Sequence, residues 1–254
     1  MLRGIDHLVI ACPDLDAGVA ALTEHLGLAV AGGGRHVALG TENRLVWLGD
    51  AYLELIAVVD ASLAAASWIG PSVLAALERG GGLATWAIAS DDLDRDVASL
   101  RAAGSGLGQP TAGERTRPDD EVVRWRLALP GPLGPDRSPF LIEHEPSGAE
   151  WGPGARAGRA AEVHPVGGAA RLHRLELAVA DPAAVANRLR RDTGLAFGPP
   201  GAGIVEAELV EQTVRLLPAG HDRPAAGIVI GISSGRPRSA DLLGCRFTLQ
   251  LAEG

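Results

Sequence analysis

The chain has 254 residues, a net charge of −8, 46% hydrophobic residues and 23 basic residues, every one of them arginine. This length and apolar content suffice to bury a sizeable core, and the absence of lysine excludes a Walker A phosphate loop, a Schiff-base nucleophile and a Ser-Lys dyad. Net negative charge without a basic run argues against nucleic acid or an anionic membrane as partner, the lack of an ~18-residue apolar run or a signal-like opening raises the expectation of a cytoplasmic protein, and the Ala-, Gly- and Arg-rich composition points to a bacterial source.

In chain order, the first unit opens with an alternating strand from Gly4 to Ala11. Asp14 then caps a helix with apolar residues Leu15, Val19, Leu22 and Leu26 at helical spacing, and Gly27 ends it. Three short strands are expected near Arg35 to Leu39, Arg44 to Leu48 and Tyr52 to Val58, with Gly49-Asp50 as a hairpin turn. Asp60 to Gly82 is a bridge holding a short helix, Pro71 to Arg79.

The order then repeats: strand Leu83 to Ser90, helix Leu93 to Ala103, a strand after Gly108, and strands Glu121 to Leu129 and Pro139 to Glu145. Gly148 to Gly168 reads as a linker. A third unit runs from Arg171 through a helix at Ala183 to Arg191, then strands Ile204 to Leu209 and Thr213 to Leu217. Two more strands, Gly227 to Ile232 and Cys245 to Leu251, complete the C-terminal part. Cys12 and Cys245 have no disulfide or metal spacing and read as buried small hydrophobes.

The stretch Ile5-Asp6-His7-Leu8-Val9-Ile10-Ala11, followed by Asp14-Leu15, is echoed by Leu83-Ala84-Thr85-Trp86-Ala87-Ile88-Ala89 with Asp92-Leu93, and more loosely by His173 to Pro182. With the Gly32-Gly33-Gly34-Arg35-His36 and Gly40-Thr41-Glu42-Asn43 turns, Tyr52-Leu53-Glu54-Leu55-Ile56, and Pro139-Phe140-Leu141-Ile142-Glu143, the chain resembles the glyoxalase-like branch of the vicinal oxygen chelate superfamily over residues 1–146. The resemblance implies an α+β fold in which repeated βαβββ units form a cupped mixed β-sheet with helices outside. Residues 1–147 would form the paired domain, and residues 169–254 a degenerate third unit packed on it. An odd number of units also raises the expectation of a homodimer.

The resemblance further implies a divalent metal, Fe, Mn, Ni or Zn, held by the first and last strands of each unit. By position His7, Glu54 and Glu143 are its ligands, while the fourth place falls on Thr85, where the family usually has histidine. Strand alternation gives an independent reason to single out Glu54: a carboxylate within Leu53-Glu54-Leu55-Ile56 is costly unless paired or metal-bound. A one-residue change of register would turn His144 inward in place of Glu143. Arg35, His36, Asn43, Thr85 and Arg124 are candidates for binding substrate.

The expected activity is a metal-dependent lyase or isomerase acting on a small molecule with adjacent oxygens, with Glu54 as proton carrier. The alternatives are a metal-free protein that binds or sequesters a small molecule and, less favoured, an extradiol-type dioxygenase. Gly231-Ile232-Ser233-Ser234-Gly235 fits a nucleophile-elbow pattern, but Arg236-Pro237 continues into no helix and no histidine follows. No G-x-G-x-x-G occurs, so no nucleotide cofactor is expected.

Overall fold

The computed structural model describes residues 1–221 and 223–252. Its units begin with one local device, an apolar strand followed by an aspartate that caps a helix. Asp14 accepts the Ala17 N–H at 2.8 Å, Asp92 that of Arg95 at 3.1 Å and Asp181 that of Ala184 at 3.0 Å. Each satisfies a donor that the first helical turn leaves free.

Unit one comprises β1 (Leu2–Ala11), α1 (Leu15–Ala21) extended by a π turn at Leu22–Leu26, β2 (Ala31–His36), β3 (Thr41–Leu48) and β4 (Ala51–Val58). A bridge carries α2 (Ala61–Ala66) and α3 (Gly70–Leu77). Unit two comprises β5 (Gly82–Ser90), α4 (Leu93–Ala102), β6 (Thr111–Thr116), β7 (Val122–Ala128) and β8 (Phe140–His144). The eight strands close into a barrel in the order β1-β4-β3-β2-β6-β7-β8-β5.

β2 lies earlier than the expected Arg35 to Leu39. The glycines that read as a turn are strand, because the barrel closes through them. A Cβ on Gly34 would stand 2.1 Å from the Thr116 carbonyl, and one on Gly33 (φ +104) 2.3 Å from that of Asn43. Only backbone without side chains fits this seam.

The expected linker also folds. It forms α5 (Gly148–Trp151) and α6 (Ala155–Ala160), which lie over the barrel mouth. Beyond it come β9 (Ala170–Val179), α7 (Pro182–Thr193), β10 (Val205–Leu209), β11 (Gln212–Pro218), β12 (Ala226–Ile232), β13 (Arg238–Leu242), which the sequence reading lacks, and β14 (Cys245–Leu251). Their sheet, β10-β11-β9-β12-β14-β13, repeats the barrel's order with the two closing strands missing. β9 and β12 pair antiparallel as β1 and β5 do, and each has its last strand parallel beside it. The degenerate third unit thus has its partner half within the chain, which removes the odd count that suggested a dimer.

The outer faces of β1, β4 and β5 carry Leu8, Leu53, Leu55 and Trp86 into one apolar core with Leu175, Leu177 and Phe247 of the second sheet. Each such buried side chain contributes about 1.5–3 kcal/mol. Gln212 adds a polar clamp, accepting the Ile5 N–H at 2.5 Å. The inner barrel face is left for the site. Among the described residues no helix is long and apolar enough to cross a membrane.

Candidate functional site

Strand alternation decides what enters the barrel. Partners in register share a face, so His7 on β1 faces inward with Tyr52 and Glu54 on β4, Asn43 on β3, and His36 on β2. On the other half the inward positions are Arg115, Val123, Trp125, Phe140, Ile142 and His144. These side chains line a narrow cavity of about 40 Å³, room for a few waters.

The polar groups concentrate on unit one. Glu54, 6% exposed, accepts a hydrogen bond from the Asn43 amide at 2.7 Å. His7 Nε2 stands 3.6 Å from Glu54 Oε2, and His36 Nε2 stands 3.8 Å from Glu54 Oε1. The far nitrogens are held too: His7 Nδ1 lies 2.6 Å from Asp6 Oδ1, and His36 Nδ1 lies 3.1 Å from the Thr41 hydroxyl. Asp6 also receives His144 Nε2 at 3.1 Å, which leaves His144 Nδ1 buried without a partner. Asn43 Oδ1 is likewise unpartnered.

Burial would raise the Asp6 carboxyl, but His144 and His7 together outweigh it and keep the group well below the usual carboxylate range. Burial holds His36 and His144 below the usual imidazole range, against the attraction of Glu54 and Asp6 respectively. The Tyr52 phenol is pushed well up by burial and by the Asp6 and Glu54 carboxylates, and so remains an O–H donor.

The mouth is closed by α5 and α6. Trp151 stacks on His144 with ring centroids 3.4 Å apart. Glu150, 6% exposed, pairs with Arg115 and, at 2.8 Å, with Arg117. Arg159 lies over the Trp47 and Trp151 rings and donates to the Glu150 carbonyl. The expected linker is therefore a cover, and its Glu150 neutralises the only arginine among the described cavity-lining residues.

Of the expected site residues, the structure brings together His7, Glu54, His36 and Asn43. Glu143 is not among them. It pairs with Arg126 across β7 and β8, points out of the barrel, and takes the Leu93 N–H at the start of α4 at 3.4 Å. The register that faces Phe140 and Ile142 inward turns His144 in and Glu143 out. Arg35 and Arg124 also lie outside, 67% and 54% exposed, beside Glu42 and Glu114. Thr85 is on the inner face but wholly buried, its hydroxyl unpartnered and outside the cavity lining. Asp6, Arg115, Glu150 and Trp151 are absent from the sequence reading. An Asp immediately before a strand His is the one signal that could have flagged Asp6.

The two-fold relation between the units tests the metal that the fold family implies. Val9 pairs with Thr85 and His7 with Ala87, so Thr85 occupies in unit two the place of His7. Val9 lies beside Glu54, and its counterpart Ala87 lies beside Phe140, so Phe140 stands in the place of Glu54. Unit two offers no donor at either place, and the set His7, Glu54, Glu143 does not fit a metal. Nor, among the described residues, do three His, Cys, Asp or Glu side chains stand as a ready-made cage. The polar cluster is local to unit one, where the His7 and His36 imidazoles flank the Glu54 carboxylate at 3.6 and 3.8 Å.

Known proteins match this architecture. The family model described as a glyoxalase-like domain matches residues 5–193. A hypothetical protein from Staphylococcus aureus superposes with a TM-score of 0.80 at 14% identity, covering 99% of this chain and all of that one. Methylmalonyl-CoA epimerase from Mycobacterium tuberculosis aligns over 57% of this chain and 89% of its own, at 24% identity and a TM-score of 0.41. No curated protein matches. The chain belongs to the glyoxalase-like domain family, within the vicinal oxygen chelate superfamily.

Proposed function

We propose that the protein is a lyase or isomerase that takes a small uncharged molecule with two adjacent oxygens into the first barrel and moves a proton on it through Glu54. The observation that carries this reading is the Glu54 carboxylate itself. It sits on an apolar strand facing the cavity, one oxygen is held by Asn43, and the imidazoles of His7 and His36 stand 3.6 and 3.8 Å from its oxygens. A carboxylate so placed is oriented toward whatever occupies the cavity, the geometric requirement for a proton carrier.

The lining favours a neutral ligand, because Arg115 is already neutralised by Glu150. Trp125, Phe140 and Tyr52 supply apolar walls that exclude water. Asn43 Oδ1 and His144 Nδ1, both unpartnered, can accept hydrogen bonds from a substrate's hydroxyls, and Tyr52 keeps its proton to donate to a carbonyl. Glu54 would take a proton from carbon at Oε2 while Asn43 holds Oε1, and return it at the neighbouring atom or to a leaving oxygen.

A metal-free binding protein is the second reading. The Glu150 and Trp151 cover, and the loss of donors at Thr85 and Phe140, favour it. The two separate by solvent-deuterium wash-in, followed by NMR, on acetoin, 1,2-cyclohexanedione and catechol. Wild type is expected to exchange a carbon-bound proton of at least one probe, and Glu54→Gln to slow that exchange by about 10²–10⁴. Probes that bind with no exchange above buffer would replace the enzyme with the binding protein.

A further inference from the structure

We propose that α5 and α6 are a lid, and that a ligand reaches Glu54 through the gap that opens when Glu150 leaves Arg115 and Trp151 leaves His144. The inference rests on the reading above only in taking the barrel cavity as the place where the molecule binds.

Three observations carry it. First, something must move. The closed cavity is about 40 Å³, whereas sites for small molecules run to about 300–1,000 Å³. The strands do not part readily, because they are hydrogen-bonded into a closed barrel. Nor does the end of the cavity beside Ile56, where Ile69, Val73 and Ala76 of the bridge form one buried apolar cluster with it. The end beside Tyr52, under Trp151, is what remains.

Second, the cover is held by charge and not by an apolar core. The buried side chains of its two helices are Glu150 on α5 and Arg159 on α6. Apolar side chains pulled from a core lose by meeting water, whereas a charged pair regains on opening the hydration that it gave up on burial. The latch is accordingly a set of pairs: Glu150 with Arg115 and Arg117, Trp151 on His144, and Arg159 over Trp47 and Trp151.

Third, the ends of the segment are fixed and its middle is jointed. The chain enters the cover at Gly148 (φ +70), beside which Ala149 gives its N–H to Glu121 at 3.0 Å, and turns between the helices at Gly154 (φ +83). It leaves through His164, bonded to the Ala29 N–H and the Trp47 carbonyl, and Val166, whose N–H goes to the Gly27 carbonyl at 2.8 Å. Glycines at such joints absorb the backbone rotation of a hinge. A surface groove of about 570 Å³ runs up to the near side of this cover: Trp125 and His144 line both groove and cavity, and Pro146 of the groove lies two residues before α5.

The test places a thiol beneath the latch with Val123→Cys, at the cross-strand partner of Arg115, where the side chain is 7% exposed. Its labelling by N-ethylmaleimide is followed site by site by mass spectrometry. Cys12 and Cys245, buried in the core that joins the barrel to the second sheet, report global unfolding in the same sample. The introduced thiol is expected to label faster than both native ones. Adding Glu150→Gln should raise its rate at least about tenfold, the difference between a charged and a neutral partner for Arg115, and change the native thiols less. Leu45→Cys, at a second cavity-lining position packed with the Trp151 cluster, repeats the comparison should Val123→Cys disturb the barrel. An introduced thiol that labels in step with Cys12 and Cys245, or at a rate that Glu150→Gln leaves unchanged, would overturn the lid. Neither result touches the proposed function, which stands or falls by deuterium wash-in at Glu54, and a lid that opens over a barrel without exchange would sustain this inference while that reading fell.

Discussion

Replacing Glu150 with leucine removes the one carboxylate that neutralises a buried arginine at the barrel mouth. Arg117 has alternatives, Asp119 at 3.0 Å and Glu121 at 3.3 Å. Arg115 does not: it is 5% exposed, and its remaining bond is to the Gly33 carbonyl at 2.9 Å. Breaking a buried pair from one side costs about 3–5 kcal/mol, chiefly for the charge left behind. The lower figure applies here because one bond survives. For a chain of this size about 3 kcal/mol lowers the melting temperature by roughly 6–12 °C. The double variant Glu150→Leu with Arg115→Met removes the stranded charge as well and should regain at least half of that loss. Urea unfolding monitored by tryptophan fluorescence measures both. A single variant as stable as wild type, or a double variant whose cost equals the sum of the two singles, would refute the claim that Glu150 pins α5 over a buried cation.

Thr85→Val removes a buried hydroxyl that bonds nothing, and should stabilise by about 1 kcal/mol, or roughly 2–4 °C in melting temperature; a loss of stability would mean that the hydroxyl has a partner. Arg35→Ala combined with Arg124→Ala should leave probe binding within twofold of wild type by calorimetry, since both side chains lie outside the barrel, and a tenfold loss would return them to the site. His164 accepts the Ala29 N–H at Nδ1 and donates to the Trp47 carbonyl, which requires the neutral ring, and burial lowers its pKa. A lowered histidine contributes stability that is present above the unfolded-state pKa of about 6.5 and lost as pH falls below it. Melting temperature should therefore drop more steeply between about pH 7 and 5.5 in wild type than in His164→Gln, and parallel curves would contradict this.

The fold was legible because its signals are local and repeated: an apolar strand and an aspartate that caps a helix recur at Asp14, Asp92 and Asp181. The cover was not. Gly148 to Gly168 has the composition of a linker, and its helices are held by Arg115, Arg117 and the His164 bonds, partners remote in sequence. The site divides along the same line. Glu54 betrayed itself as a charge in an apolar run, and His36 and Asn43 by lying in the two glycine-led turns that carry the family resemblance. Glu143 misled because its alternation is ambiguous: Glu143, His144 and Glu145 are consecutive, and only pairing with β7 fixes which one turns inward. Thr85 stands in the sequence where the family usually has histidine, whereas the companion gap at Phe140 emerges only from the parallel register of β5 and β8.

The central claim is that the chemistry of the barrel resides in unit one, at Glu54, and not at the carboxylate of unit two. Deuterium wash-in on the best of the three probes, compared among wild type, Glu54→Gln and Glu143→Gln, tests it directly. The account predicts exchange within twofold of wild type for Glu143→Gln and a loss of about 10²-fold or more for Glu54→Gln. Exchange retained by Glu54→Gln, or abolished by Glu143→Gln in a protein that melts like wild type, would contradict it.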